Sequence, residues 1–101
     1  MQIKIHSSCR EVVAICDTEL LGKQFEEENK QLNIKESFYK GEEVDEEKII
    51  NLIKDLTKED ATFNIVGEKS CEAAIKAGII TKNSIGEIDK VAYIRDYLQN
   101  N

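Results

Sequence analysis

The sequence predicts an α+β fold, or loosely α/β: a small single domain over residues 1–101, with an N-terminal β-hairpin and a mixed sheet packed with two main helices. Three observations predict it. Apolar and polar residues alternate in Gln2-Ile3-Lys4-Ile5-His6 and again in Lys30-Gln31-Leu32-Asn33-Ile34-Lys35. Two later segments, beginning near Asp45 and Glu68, carry apolar residues at helical spacing. Between those helices stands Ala61-Thr62-Phe63-Asn64-Ile65-Val66, a run with the length and composition of a buried strand.

Taken in order, Gln2 to His6 is a half-buried strand and Ser7 to Arg10 a polar turn. Glu11 to Cys16 is a second, more completely buried strand, so the two form an antiparallel hairpin. Asp17 or Thr18 caps a short helical turn at Glu19-Leu20-Leu21, and Gly22 ends it. In that corner the leucines anchor in the core and Lys23 faces water. Lys30 to Lys35 is a third strand, and Phe38-Tyr39-Lys40-Gly41 a surface turn with an aromatic pair at its base. Asp45 is a natural N-cap for the clearest helix, with Val44 packing on Ile49 as a hydrophobic staple and Glu46 and Glu47 complementing the helix dipole. Ile49, Ile50, Ile53 and Leu56 form its apolar stripe. Glu68 to Ala77 is the second helix, closed by Gly78. The tail fits a helix through Val91, Ile94 and Leu98 and a strand through Val91, Tyr93 and Tyr97.

Composition is that of a soluble globule, 41% apolar and 34% charged. No apolar stretch of secretory or spanning length follows the N-terminus, and three cysteines without a Cys-x-x-Cys pair fit reduced thiols, so a cytoplasmic chain is expected. The net charge of −6 is concentrated. Residues 25–66 hold twelve acids against six bases, while the segments on either side balance. An acidic middle repels a phosphate backbone and speaks against direct nucleic-acid binding.

Candidate chemistry is sparse. His6 is the sole histidine, and any acid–base scheme near neutral pH would turn on it. If Ile3 and Ile5 pair with Ile15 and Val13, His6 lies opposite Val12 and Cys16 is four residues away, roughly 13 Å along the ladder. That excludes a Cys16–His6 dyad and leaves Cys9, in the turn, without a group to orient the ring. One histidine and three scattered cysteines match no zinc spacing, and the glutamate runs match no calcium loop. Gly67-Glu68-Lys69-Ser70 has part of a phosphate loop, but its two glycine positions fall on Phe63 and Glu68. What remains is a helix start whose free N–H groups could hold an anion. Phe38 and Tyr39, with Tyr93 and Tyr97, are candidates for base stacking, although their acidic surroundings favour core packing.

Four blocks then fall into a known pattern. They are Lys4-Ile5-His6; Ala14-Ile15-Cys16-Asp17-x-Glu19-Leu20-Leu21-Gly22-Lys23-x-Phe25-Glu26-Glu27; Phe38-Tyr39-x-Gly41-Glu42-x-Val44-Asp45-Glu46-Glu47; and Asn64-Ile65-Val66-Gly67-Glu68-Lys69 with Ala74-Ile75-x-Ala77-Gly78. In order and spacing, from residue 2 to about 80, the chain resembles the archaeal family of domain of unknown function 424. The tail departs from it: Lys90-Val91-Ala92-Tyr93-Ile94-Arg95 stands where the family pattern ends in Gly-Val-Pro-His-Ala-Gln. The resemblance implies an archaeal cytosolic α/β protein with no established reaction.

Two functions are expected from this reading. One is a non-enzymatic accessory module with a protein or ribonucleoprotein partner in translation or RNA handling, without cofactor or metal. Its candidate binding residues are Lys4, His6, Gly22, Lys23, Phe38, Tyr39, Gly41, Gly67, Glu68 and Lys69. The other is a small-molecule enzyme or binder that takes an anionic ligand at the Gly67 helix start. Oligomeric state is left open, with pairing through a free sheet edge as one form of it.

Overall fold

The structure, a computed structural model, describes residues 1–7 and 9–98. Among the described residues, eight strands are β1 (Gln2–His6), β2 (Glu11–Cys16), β3 (Gln24–Glu27), β4 (Lys30–Asn33), β5 (Glu42–Glu43), β6 (Ala61–Val66), β7 (Gly86–Ile88) and β8 (Val91–Leu98). Three α-helices are α1 (Glu36–Tyr39), α2 (Glu46–Leu56) and α3 (Glu68–Lys76). Six strands form one sheet in the order β5-β1-β2-β6-β8-β7, and β3 and β4 form a separate hairpin. The fold is α+β, as the sequence predicts.

The central strands β2 and β6 run parallel, and each is flanked by an antiparallel neighbour. Both are buried on two faces, which is why they read as nearly continuous apolar runs. One face carries Ile3, Val13, Ile15, Phe63 and Ile65 against Ile49, Ile53 and Leu56 of α2 and Cys71 and Ala74 of α3. The other carries Ala14, Cys16 and Val66 against Leu32, Ile34, Tyr39 and Ile88. The sheet therefore lies between a helix layer and a cover made of the β3–β4 hairpin and α1.

The β1–β2 register pairs Ile3 with Ile15, Ile5 with Val13 and His6 with Val12, as the apolar pattern dictates. Gly22 and Gly78 close their helical turns at positive φ, 80° and 83°. Asp45 caps α2, its Oδ1 accepting from the Lys48 N–H at 2.9 Å. Asp45→Ala should cost about 1 kcal/mol. A thermal melt should fall by about 4–8 °C, while the native spectrum is unchanged.

Three elements differ from the sequence reading, and a fourth, the tail left open between helix and strand, takes one of its two forms. Asp17 makes no side-chain bond to the 3-10 turn it precedes, Thr18–Leu20; its carboxylate caps a distant helix instead. Residues 36–39 are a single helical turn rather than a surface turn, with Tyr39 buried at 7% exposure. Gln24–Glu27, to which the sequence reading gave no element, is β3, and the one apolar pair holding it to β4 is Phe25–Leu32. The tail is strand: β8 returns antiparallel from β7 through Asp89 and Lys90, which take φ of 48° and 66°. Two consecutive positive φ values make the two-residue hairpin turn, here without the usual glycine.

Candidate functional site

Parallel pairing of β2 with β6 places their carboxyl ends side by side, so Asp17 and Gly67 leave the sheet as neighbours. The Asp17 N–H donates to the Val66 carbonyl at 3.0 Å, and the Gly67 N–H to the Ala92 carbonyl at 2.8 Å. Helix α3 starts at once after Gly67, with its free N–H groups aimed back at this point. Asp17 occupies it. Its Oδ1 accepts from the Ser70 N–H at 2.8 Å and the Ser70 hydroxyl at 2.7 Å, and its Oδ2 from the Lys69 N–H at 3.2 Å. Asp17 is 6% exposed and Ser70 is fully buried.

The anion expected at the Gly67 helix start is thus already present, as the chain's own side chain. An external phosphate would have to displace a buried carboxylate that makes three hydrogen bonds. Gly67 is required twice over: its φ is +110°, and an added Cβ would lie 2.3 Å from the Asp17 carboxyl carbon. Glu68 and Lys69 are exposed on either side of the cap.

Beside this cap opens a cleft of about 480 Å³ lined by Thr18, Glu19, Glu43, Val44, Asp45 and Lys69, with Met1 and Asp17. Glu43 is its hub. It accepts from the N-terminal ammonium at 2.6 Å, the Thr18 hydroxyl at 2.7 Å and the Gln2 amide at 3.0 Å. Gln2 in turn accepts from the Gly41 N–H at 3.0 Å. The ammonium first, then Thr18, hold the Glu43 carboxyl down at about 2, against an ordinary 4.5. A folded-state value below the unfolded one stabilises above the unfolded value, and that stabilisation is lost as pH falls from about 4.5 to about 2. Melting temperatures measured across that window should drop less steeply for Glu43→Gln than for the parent chain.

A second group of predicted residues meets where α1 crosses β1. The Lys4 ammonium donates to the Ser37 carbonyl at 3.0 Å. His6 Nε2 lies 2.8 Å from the Phe38 carbonyl, and its ring stacks on Phe38 at 4.7 Å and 16°. Tyr39 meets Phe38 edge-on at 5.0 Å. Gly41 runs so close to β1 that a Cβ would lie 2.1 Å from the Ile3 carbonyl oxygen. Gly22 stands at the rim, where a Cβ would come 3.6 Å from the Glu36 carboxylate. Lys23 is exposed, and its backbone bridges Leu20 and Ile34.

These contacts bear on two readings made from the sequence, the aromatic pair and the Cys16–His6 spacing. The base-stacking platform is closed on one side, since His6 covers a face of Phe38 and Tyr39 is turned into the core. Tyr93 lies under Arg95 at 5.3 Å, and the Tyr97 side chain lies outside the described residues. The register also keeps His6 four residues from the Gln2–Cys16 pair, so no dyad forms there. Among the described residues, no group of three or more His, Cys, Asp or Glu side chains has metal-binding geometry.

Cys16 and Cys71 are buried on either side of Asp17, and burial first, then the Asp17 charge, pushes both thiols up to about 12. Cys9 is exposed in the β1–β2 turn. At pH 8 the native protein should therefore lose one thiol quickly to an alkylating reagent, and all three only in denaturant. Mass spectrometry of the labelled chain reads the count.

Sequence reasoning missed Asp17, Thr18, Glu43 and Met1 as one polar cluster. Its signals were an acid ending one buried strand and a glycine ending another, but only the parallel pairing brings the two together.

The model of a family described as "Protein of unknown function (DUF424)" matches residues 6–95. The match therefore runs through most of β8, further than the block resemblance ending near residue 80. Among solved structures, the chain is similar to one described as the crystal structure of an uncharacterized conserved protein from Methanopyrus kandleri. That similarity has a TM-score of 0.87 and 25% identity, over 99% of this chain and 92% of that one. No curated protein matches the chain. Among the described residues, no helix is long and apolar enough to cross a membrane.

Proposed function

The chain belongs to the DUF424 family, and from that membership together with the wiring of its polar groups we propose a non-enzymatic accessory module that binds a basic protein surface, such as the protein component of a ribonucleoprotein. One observation carries this reading: the groups that would serve a reaction are committed to holding the fold. Asp17 fills the α3 start, His6 fastens α1 to β1, and Glu43 ties the N-terminus to Thr18 and Gln2. What faces outward carries an excess of negative charge. The chain carries −6, and Glu19, Glu43 and Asp45 line its cleft against Lys69 and the terminal ammonium. Acidic surfaces steer toward basic partners and lose that steering as salt rises.

The test is to recover the tagged chain from its host at low and at high salt, then rebuild any retained complex from purified components. The reading expects a stoichiometric complex with a basic protein that weakens steeply with salt. A chain that elutes alone at low salt contradicts it.

A further inference from the structure

Helix axes pack about 8–10 Å apart and strands lie about 4.8 Å apart, so two helices cover roughly four strands. The six-stranded sheet therefore outruns its helix layer. On the β1 flank the overhang shows as Ile5, 43% exposed. On the β7 flank it shows as a groove of about 460 Å³ between α3 and the β7–β8 hairpin.

The groove has an apolar floor. Cys71 lies at its base, and Ile75, Ile85 and Ala92 are only partly buried. Its rim carries three acids, Glu68, Glu72 and Glu87, against one base, Lys82. Glu72 is engaged by Lys76 at 3.6 Å, whereas no described cation pairs with Glu68 or Glu87. An apolar floor takes an aliphatic group, and an acidic rim favours cations on either side of it. A second copy of this chain is a poor occupant, because it brings the same net −6.

We propose that this groove docks a segment of a protein partner in which one aliphatic side chain is flanked by lysine or arginine. The proposal rests on the binding-module reading and names the anchoring surface for it. In this arrangement the aliphatic group sits over Ile75, Ile85 and Ala92, while the flanking cations meet Glu68 and Glu87. Affinity then depends on both the apolar anchor and the charges.

The test titrates the full ¹⁵N-labelled chain with two synthetic peptides, Lys-Lys-Leu-Lys-Lys and Lys-Lys-Ser-Lys-Lys. The leucine peptide should move the Ile85, Gly86 and Ala92 amides saturably. The serine peptide should bind about fivefold more weakly, having lost the apolar anchor. The double variant Glu68→Gln/Glu87→Lys, checked for an unchanged fold by its spectrum, should weaken the leucine peptide about tenfold. Equal binding of both peptides, shifts centred away from the groove, or indifference to the rim variant would each overturn the proposal. So would a concentration-dependent dimer that the rim variant abolishes, since the occupant would then be a second copy. The two readings also separate: if the variant retains the same host partner as the parent, the groove is wrong and the module stands, whereas a parent chain that elutes alone removes the module itself.

Discussion

Gly67→Ala should be among the most damaging small substitutions in the chain, costing about 3 kcal/mol or more. Two independent penalties meet at this position. A φ of +110° is strained for any residue with a Cβ, and the added carbon would lie 2.3 Å from the Asp17 carboxyl carbon, far inside contact distance. Neither partner can retreat cheaply. The Gly67 N–H is bonded to the Ala92 carbonyl of β8, and Asp17 is held by Ser70 and Lys69. At about 4–8 °C per kcal/mol, the melting temperature should fall by at least about 12 °C. The pairing also predicts non-additivity. In an Asp17→Ala background Gly67→Ala should cost less, because the collision is gone and only the φ strain remains.

Asp17→Ala is the second large effect, expected at about 2–4 kcal/mol. Removing the carboxylate leaves the Ser70 hydroxyl, the Ser70 N–H and the Lys69 N–H facing a buried gap. It also removes the negative charge from the positive end of α3. Asp17→Asn should fall between parent and alanine. Its amide oxygen keeps the two Ser70 bonds, but its NH₂ replaces the acceptor that Lys69 needs. Chemical denaturation of the three proteins, at constant m-value, measures the order parent, asparagine, alanine. An asparagine variant as stable as the parent would mean that the charge and the Lys69 bond contribute little.

Most of the fold could be read from local pattern. The β1–β2 register followed from keeping Ile3, Ile5, Val13 and Ile15 on one face, and α2 followed from Asp45, the staple and the isoleucine stripe. The elements that escaped are those whose stability comes from elsewhere. Strand β3 has one apolar residue, Phe25, and exists because it pairs with β4. The turn at Asp89 and Lys90 lacks glycine, so nothing local announces that the tail folds back. The four-residue α1 is too short to show a period and is fixed by Lys4 and His6 reaching its carbonyls.

The site was less legible for a related reason. Every residue of the Asp17 cap was visible in the sequence, yet Asp17 and Ser70 are 53 positions apart. Local reasoning assigned Asp17 to the turn beside it and left the α3 start open for an external anion. Only the parallel β2–β6 pairing shows that one acid serves the other element's helix. Most of the predicted binding residues then fall into two structural joints, while Gly22 and Lys23 hold the corner between Leu20 and Ile34. Lys4, His6, Phe38 and Gly41 secure α1 and the β5 approach, and Gly67 to Lys69 form the capped helix start.

The central claim is that the chain's own carboxylate, not a ligand, occupies the start of α3. Titrating the ¹⁵N-labelled protein with inorganic phosphate and ATP, while following the Lys69 and Ser70 amides, tests it most directly. The account predicts that both resonances stay in place up to millimolar ligand. A saturable shift of these two amides, with a matching rise in melting temperature, would contradict it and restore a small-molecule function.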